Sequence, residues 1–163
     1  MIARRNLVDL EWLAQRLADA AVVAVDCRFE LGRPDAGRAA YDDAHVPGAA
    51  YLDLERDLSG SVRAHGGRHP LPDWDAFCGT LGALGVDGAV TVVAYDVPQA
   101  AVAPRLWWML RYLGHDRVYV LDGGWPAWRA AGLPVSRELP RRPRREFVAH
   151  PRPAMTVDRD EVR

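Results

Sequence analysis

Lysine is absent, so all 21 basic side chains are arginines. Chemistry that needs a lysine amine, a Schiff base above all, is therefore excluded. Cysteine is scarce: only Cys27 and Cys78 are present, with no Cys-x-x-Cys spacing. That argues against a disulfide framework and makes a reducing cytoplasm the expected location. Long apolar runs are missing as well, and no stretch approaches the ~18 residues needed to cross a bilayer. Met1 to Arg5 carries the charge of a signal n-region, but no apolar h-region follows it. Neither charge sign is in excess. With 21 basic and 22 acidic residues the net charge is -1, and nothing in the balance points to nucleic acid or an anionic membrane as partner.

What remains is the composition of a packed protein. The 163 residues are 49% hydrophobic and 26% charged, with six Trp. Disordered, coiled-coil and collagen-like chains are excluded. The length suits one domain, or one domain and a remnant of another.

Apolar spacing alternates between short strands and amphipathic helices. A first helix opens after Asp9 as N-cap, with Val8 and Leu13 as staple and Leu10, Leu13 and Leu17 as its buried stripe. Val22 to Val25 has the pattern of a strand covered on both faces. A polar loop follows, then a short strand from Ala49 to Leu54. Trp74, Phe77, Cys78, Leu81 and Leu84 share a helical face that Gly85 ends. Val90 to Tyr95 is the clearest strand. Val102, Leu106, Met109, Leu110 and Leu113 mark a helix with Pro104 in its first turn and Gly114 past its end. Val118 to Leu121 is a strand, and Trp125 to Ala131 a helix closed by Gly132. This alternation predicts an α/β fold with a mostly parallel sheet of about five strands and helices on both faces.

Periodicity stops near residue 135. From Ser136 to Pro153, six arginines alternate irregularly with Pro140, Pro143, Pro151 and Pro153. The segment reads as an extended, solvated linker, burying little by itself, and it lacks the aromatics of a nucleic-acid surface. Beyond it, Val157-Asp158-Arg159-Asp160-Glu161-Val162 repeats the apolar, Asp, three helix formers, apolar pattern of Val8 to Leu13. The expected organisation is a domain over 1–135, a linker over 136–154 and the start of a second copy over 155–163.

Two motifs carry a family resemblance. Tyr41 precedes, by three intervening residues, His45-Val46-Pro47-Gly48-Ala49, where Pro47 and Gly48 make a tight turn into the next strand. Asp122-Gly123-Gly124 makes a second turn after a strand. These resemble the two signatures of the rhodanese (sulfurtransferase) family. Ala103 to His115, with Trp107 and Trp108, resembles the Trp-Trp helix of first domains in its tandem members. The resemblance covers about residues 7 to 135 and implies the three-layer rhodanese fold.

It also implies a mechanism that turns on one position. In active rhodanese domains the strand equivalent to Thr91–Tyr95 delivers a Cys, and loop N–H groups stabilise its thiolate and persulfide. Here that position is Asp96. A carboxylate cannot accept sulfane sulfur, so the resemblance implies a silent first domain with no catalytic residue of its own. Cys78 lies on an apolar helix face, and the resemblance implies that Cys27 fills the small-residue slot of the family's Asp-x-Arg strand end. In mercaptopyruvate-type relatives, residues matching Glu55 and His69 are taken to reach towards the partner domain's active site. A carboxylate orienting an imidazole is a workable acid–base pair only if the two meet. Otherwise this is a surface loop with an incidental His. His65 and His69 have zinc-like spacing, but Gly66-Gly67 breaks the helix that such a site needs, so no metal is expected.

The implied whole is a thiosulfate- or 3-mercaptopyruvate-type sulfurtransferase. Its partners are a second rhodanese domain of the same chain, a small sulfur-donor anion and a cyanide or thiol acceptor. No cofactor is expected, since sulfur is the group transferred. A stand-alone inactive module that binds a partner or an anion is the other reading; the remnant after the linker speaks against it.

Overall fold

The computed structural model describes residues 6–98, 100–158 and 160–162. Five parallel strands form one sheet in the order β1-β5-β4-β2-β3. At its centre β2 (Val22–Asp26) pairs with β4 (Thr91–Tyr95) along its full length, from Val22↔Thr91 to Asp26↔Tyr95. β5 (Val118–Leu121) and β1 (Leu7–Val8) complete one side, and β3 (Ala50–Tyr51) forms the other edge.

The strand pleat sorts the core into two layers. Val23, Val25, Val92 and Ala94 lie in one cluster with Phe77 and Leu81 of α3 (Trp74–Ala83) and Leu106, Met109 and Leu110 of α4 (Val102–Tyr112). Val22, Ala24, Val93 and Tyr95 lie in the other, with Leu13 of α1 (Leu10–Ala14) and Trp128 of α5 (Gly124–Ala130). The predicted α/β class, parallel sheet and two-sided cover are all present.

Local punctuation behaves as its chemistry dictates. Asp9 caps α1, its Oδ1 accepting from the Trp12 N–H at 2.8 Å, and Asp73 caps α3 the same way through Ala76. Three expectations change. The strand expected over Ala49 to Leu54 reduces to Ala50–Tyr51, because Asp53 accepts from the N–H groups of Glu55 and Arg56 and turns the chain out of the ladder. Leu7–Val8 is an edge strand on β5, where the sequence placed only a staple. Part of the polar loop is a helix, α2 (Ala36–Asp43). Its small residues leave Tyr41 as the single large buried side chain, so no apolar period marks it. Gly37 is required there, since a Cβ would stand 2.0 Å from the Arg28 carbonyl oxygen.

The Arg/Pro segment is extended, as expected, but it is not solvated slack. Ser136 and His45 exchange two backbone hydrogen bonds, of 2.9 and 2.8 Å. Further on, the N–H groups of Arg145, His150 and Arg152 donate to the carbonyls of Gly82, Leu113 and Tyr112. Phe147 is 7% exposed and joins the α3–α4 core layer. Four of the six arginines explain the difference, because each of these has a specific acceptor on the domain. Arg142 reaches the Val22 carbonyl at 2.8 Å, Arg145 pairs with Asp87, Arg137 with Asp43 and Arg152 with Asp116. A Cβ on Gly82 would lie 2.4 Å from the Arg145 carbonyl oxygen, so helix α3 is cut to fit the strap.

His115 lies beneath this strap, 4% exposed, with its ring 5.7 Å from that of Phe147. Burial holds its imidazole below the usual value of 6.5. Unfolding releases it to take up a proton, so in acid the unfolded chain binds more protons than the folded one. The stability that neutral His115 contributes is full above about pH 6.5 and is lost as pH falls through the depressed folded value. Unfolding free energies from urea titrations should therefore fall as pH drops below about 6.5, with a slope of up to ~1.4 kcal/mol per pH unit. The drop should be smaller in His115→Gln, and an unchanged slope in that variant would assign the effect to another group.

Candidate functional site

Strand order places a topological switch between β2 and β4: the chain leaves β2 towards β3 and leaves β4 towards β5. In parallel sheets the carboxyl ends at such a point are where ligands collect. Here one half of the crevice is filled by a closed polar network. Arg28 grips Asp26 through Nε to Oδ1 at 3.0 Å and Nη2 to Oδ2 at 2.7 Å. Its Nη2 also reaches the carbonyls of Ala40 and Ala44, and its guanidinium lies 4.3 Å over the Trp125 ring. Tyr95 donates from its hydroxyl to Asp26 at 2.9 Å and accepts from the Val46 N–H at 3.1 Å. Burial and the Asp26 charge push the Tyr95 phenol well up, so it stays a neutral donor. Every charge in this cluster has its counterpart, which makes it a lock between elements and leaves no group free for chemistry.

The other half is the Asp96 loop. Asp96 Oδ2 accepts from the N–H groups of Val102 at 2.7 Å and Ala103 at 2.8 Å, the first amides of α4. Its backbone oxygen accepts from Trp125 N at 2.9 Å. Ala101 adopts the left-handed region at φ 54, which turns the chain so that those amides converge. Gly124, at φ 56, allows the Asp-Gly-Gly turn to close over the loop, since a Cβ there would meet the Asp96 oxygen at 2.5 Å. Burial pushes the Asp96 carboxyl up, opposed by the two amides that favour its charged form. The loop thus holds an anion nest already occupied by its own carboxylate. Gln99 of this loop lies outside the described residues.

Neither cysteine offers a thiolate. Cys27 is fully buried, and desolvation and the Asp26 charge push its thiol well up. Cys78 is raised by burial as well, on the α3 face turned to the core.

Glu55 and His69 do meet. His69 Nε2 lies 3.5 Å from Glu55 Oε1, a long contact between partly exposed side chains, and the imidazole meets the Phe29 ring edge-on. Glu55 follows β3, and Asp96 follows β4, so the pair and the nest lie at the same carboxyl edge of the sheet. His65 is exposed on non-helical chain, and no metal-ligand cluster exists among the described residues.

The signature residues have structural roles. Tyr41 and His45 stack at 3.9 Å. The His45 ring nitrogens lie 2.7 Å from the Tyr41 carbonyl oxygen and 3.0 Å from that of Glu138, tying α2 to the strap. The Tyr41 hydroxyl donates to the Ala49 carbonyl at 2.7 Å, and burial pushes its phenol up to about 12. Pro47 and Gly48, the latter at φ 75, turn the chain into β3. Asp122 N donates to the Val8 carbonyl, and Gly123 takes φ 79 where α5 begins.

The family description "Rhodanese-like domain" matches residues 9–131, a span that includes both turns and the Asp96 loop. The chain belongs to the rhodanese family. A probable 3-mercaptopyruvate sulfurtransferase from Pseudomonas aeruginosa is 43% identical over 156 residues, covering 94% of this chain and 55% of that protein. A putative thiosulfate sulfurtransferase from Mycobacterium tuberculosis is 44% identical over 111 residues, 68% of this chain and 39% of that protein. Among solved structures, SseA from Escherichia coli, a 3-mercaptopyruvate sulfotransferase, superposes with a TM-score of 0.86 at 31% identity, over 98% of this chain and 60% of that one. This rhodanese domain therefore spans about half the length of the curated relatives it matches, or less.

Sequence reasoning missed the lock's Tyr95 and Trp125 and the guanidinium of Arg105. Only the Asp-x-Arg at the end of β2 signalled the lock, and Arg105 gave no signal apart from its place in the first turn of α4.

Proposed function

We propose that this rhodanese domain is the catalytically silent N-terminal half of a two-domain sulfurtransferase, acting in the cytoplasm on thiosulfate or 3-mercaptopyruvate. The observation that carries the reading is the Asp96 carboxylate seated where a nucleophile would stand, with its nest filled. The chain end supports a following copy. Asp158 Oδ1 accepts from the Glu161 N–H at 2.9 Å, as Asp9 does from Trp12, and Glu161 Oε2 accepts in turn from the Asp158 N–H at 2.7 Å. Arg159 of that turn lies outside the described residues.

In this reading the nucleophile is a cysteine thiolate of the second domain. It attacks the outer sulfur of the donor, forming an S–S bond as the donor's bond to that sulfur breaks. Sulfite leaves from thiosulfate without a proton. The three-carbon fragment of mercaptopyruvate leaves as an enolate and needs a proton to become pyruvate. Glu55 and His69 suit that proton transfer. Cyanide or a thiol then takes the outer sulfur from the persulfide and regenerates the thiolate, with no cofactor.

Two outcomes follow. The 163-residue chain alone should form no thiocyanate from thiosulfate and cyanide above the uncatalysed rate. Turnover abolished by Cys27→Ala would overturn that. In the two-domain protein His69→Ala should lower kcat/KM for mercaptopyruvate by about 10²-fold. Its stability should change by no more than about 0.5 kcal/mol. If this variant and the isolated second half both match the intact enzyme, the first domain is scaffold only.

A further inference from the structure

Arg105 is a half-buried cation whose hydrogen bonds all go to neutral oxygens. Its Nε and Nη2 donate to the Leu58 carbonyl at 3.1 and 2.8 Å, and Nη2 also reaches the carbonyls of His69 at 3.1 Å and Pro70 at 3.2 Å and the Ser59 hydroxyl at 3.5 Å. It has no ion pair among the described residues. Burial lowers its proton affinity, the mark of a guanidinium that has given up part of its water without gaining a carboxylate. A partly desolvated charge held by neutral oxygens carries a cost, and its fork matches several of them at once.

That fork closes both ends of one loop. Leu58 ends the turn that carries Glu55, and His69 and Pro70 begin the return towards α3, with Gly60 N donating to Pro70 O at 3.0 Å beside them. The loop between holds Gly60, Gly66 and Gly67, so its own backbone does little to fix where His69 stands. Arg105 lies in the turn of α4 whose first amides hold Asp96. We infer that Arg105 is a positioning residue that sets the His69 imidazole against Glu55 and ties that pair to the Asp96 nest through a single helical turn. The catalytic meaning of this placement rests on the function proposed above; the placement itself does not.

The test compares Arg105→Gln with the conservative Arg105→Lys in the 163-residue chain. In NMR spectra of the histidine rings, Arg105→Gln should move the His69 resonances and abolish their response to Glu55→Gln. The Val102 and Ala103 amides should keep their shifts. Arg105→Lys should retain part of the response, because an ammonium reaches fewer of these carbonyls at once. His69 resonances that respond to Glu55→Gln equally with and without Arg105 would overturn the inference. In the two-domain protein, Arg105→Gln should lower kcat/KM for mercaptopyruvate as far as His69→Ala does, and the double variant should be no lower than His69→Ala. Losses that multiply would overturn it as well. If His69→Ala proves inert, the proton-transfer role proposed for the Glu55–His69 pair fails while the NMR comparison still decides the placement. Should Arg105→Gln not fold, Arg105→Lys carries both measurements, and a variant with unchanged His69 resonances and rate overturns the inference.

Discussion

Asp26→Ala should remove about 3–5 kcal/mol of stability, the range for breaking a buried ion pair by deleting one partner. Single domains hold only ~5–15 kcal/mol in total, so this variant should stand at or near the edge of folding. The cause is what stays behind. Arg28 is 7% exposed and cannot recover water, and its remaining carbonyl partners carry no compensating charge. Tyr95 loses the acceptor of its hydroxyl in the same step. Urea unfolding followed by tryptophan fluorescence reads the effect. A joint Asp26→Leu, Arg28→Met variant should be less damaged than Asp26→Ala, because no charge is left stranded. A loss below about 1 kcal/mol for Asp26→Ala would mean that water reaches the pair, as it does in surface pairs.

Ending the chain after Val135 should have an effect of similar size or larger. Phe147→Ala alone should cost about 3 kcal/mol, the lower end for deleting a large core aromatic, since Phe147 sits at the rim of its layer. Truncation also strips the backbone partners from Gly82, Leu113 and Tyr112 and uncovers His115. The exposed ion pairs of Arg137 and Arg152 add little to this. Amide exchange offers a second check: Arg145, His150 and Arg152 should be protected in the intact chain. A truncated chain with the same urea midpoint, or fast exchange at those three amides, would reduce the strap to a tether.

Much of the architecture was legible because strong local signals agreed. The β-branched runs at Val22 and Val90, the helical face from Trp74 to Leu84, and the glycines at 85, 114 and 132 each name an element or its end. The family resemblance carried by the two turn motifs pointed to the Asp96 position and to Glu55 and His69. What escaped was whatever depends on long-range packing. Helix α2 has too few apolar residues to show a period. The strap's partners are distant in sequence, so its composition reads as solvated although four of its arginines have specific acceptors. The Glu55–His69 contact and the Arg105 fork join residues 14 and up to 47 positions apart, which no local pattern encodes.

The strap also imposes an order on synthesis. Val22 lies in the central pair of strands, yet the guanidinium that caps its carbonyl belongs to Arg142, 120 residues later. At ribosomal rates of about 5–20 residues per second, the Val22 carbonyl waits roughly 6 to 24 seconds for that contact. During the wait, the rim that Phe147 will cover stays open to water and to other chains. Distant pairings of this kind slow folding in general. The rim of the α3–α4 layer is closed only once Phe147, which follows the last strand, has emerged.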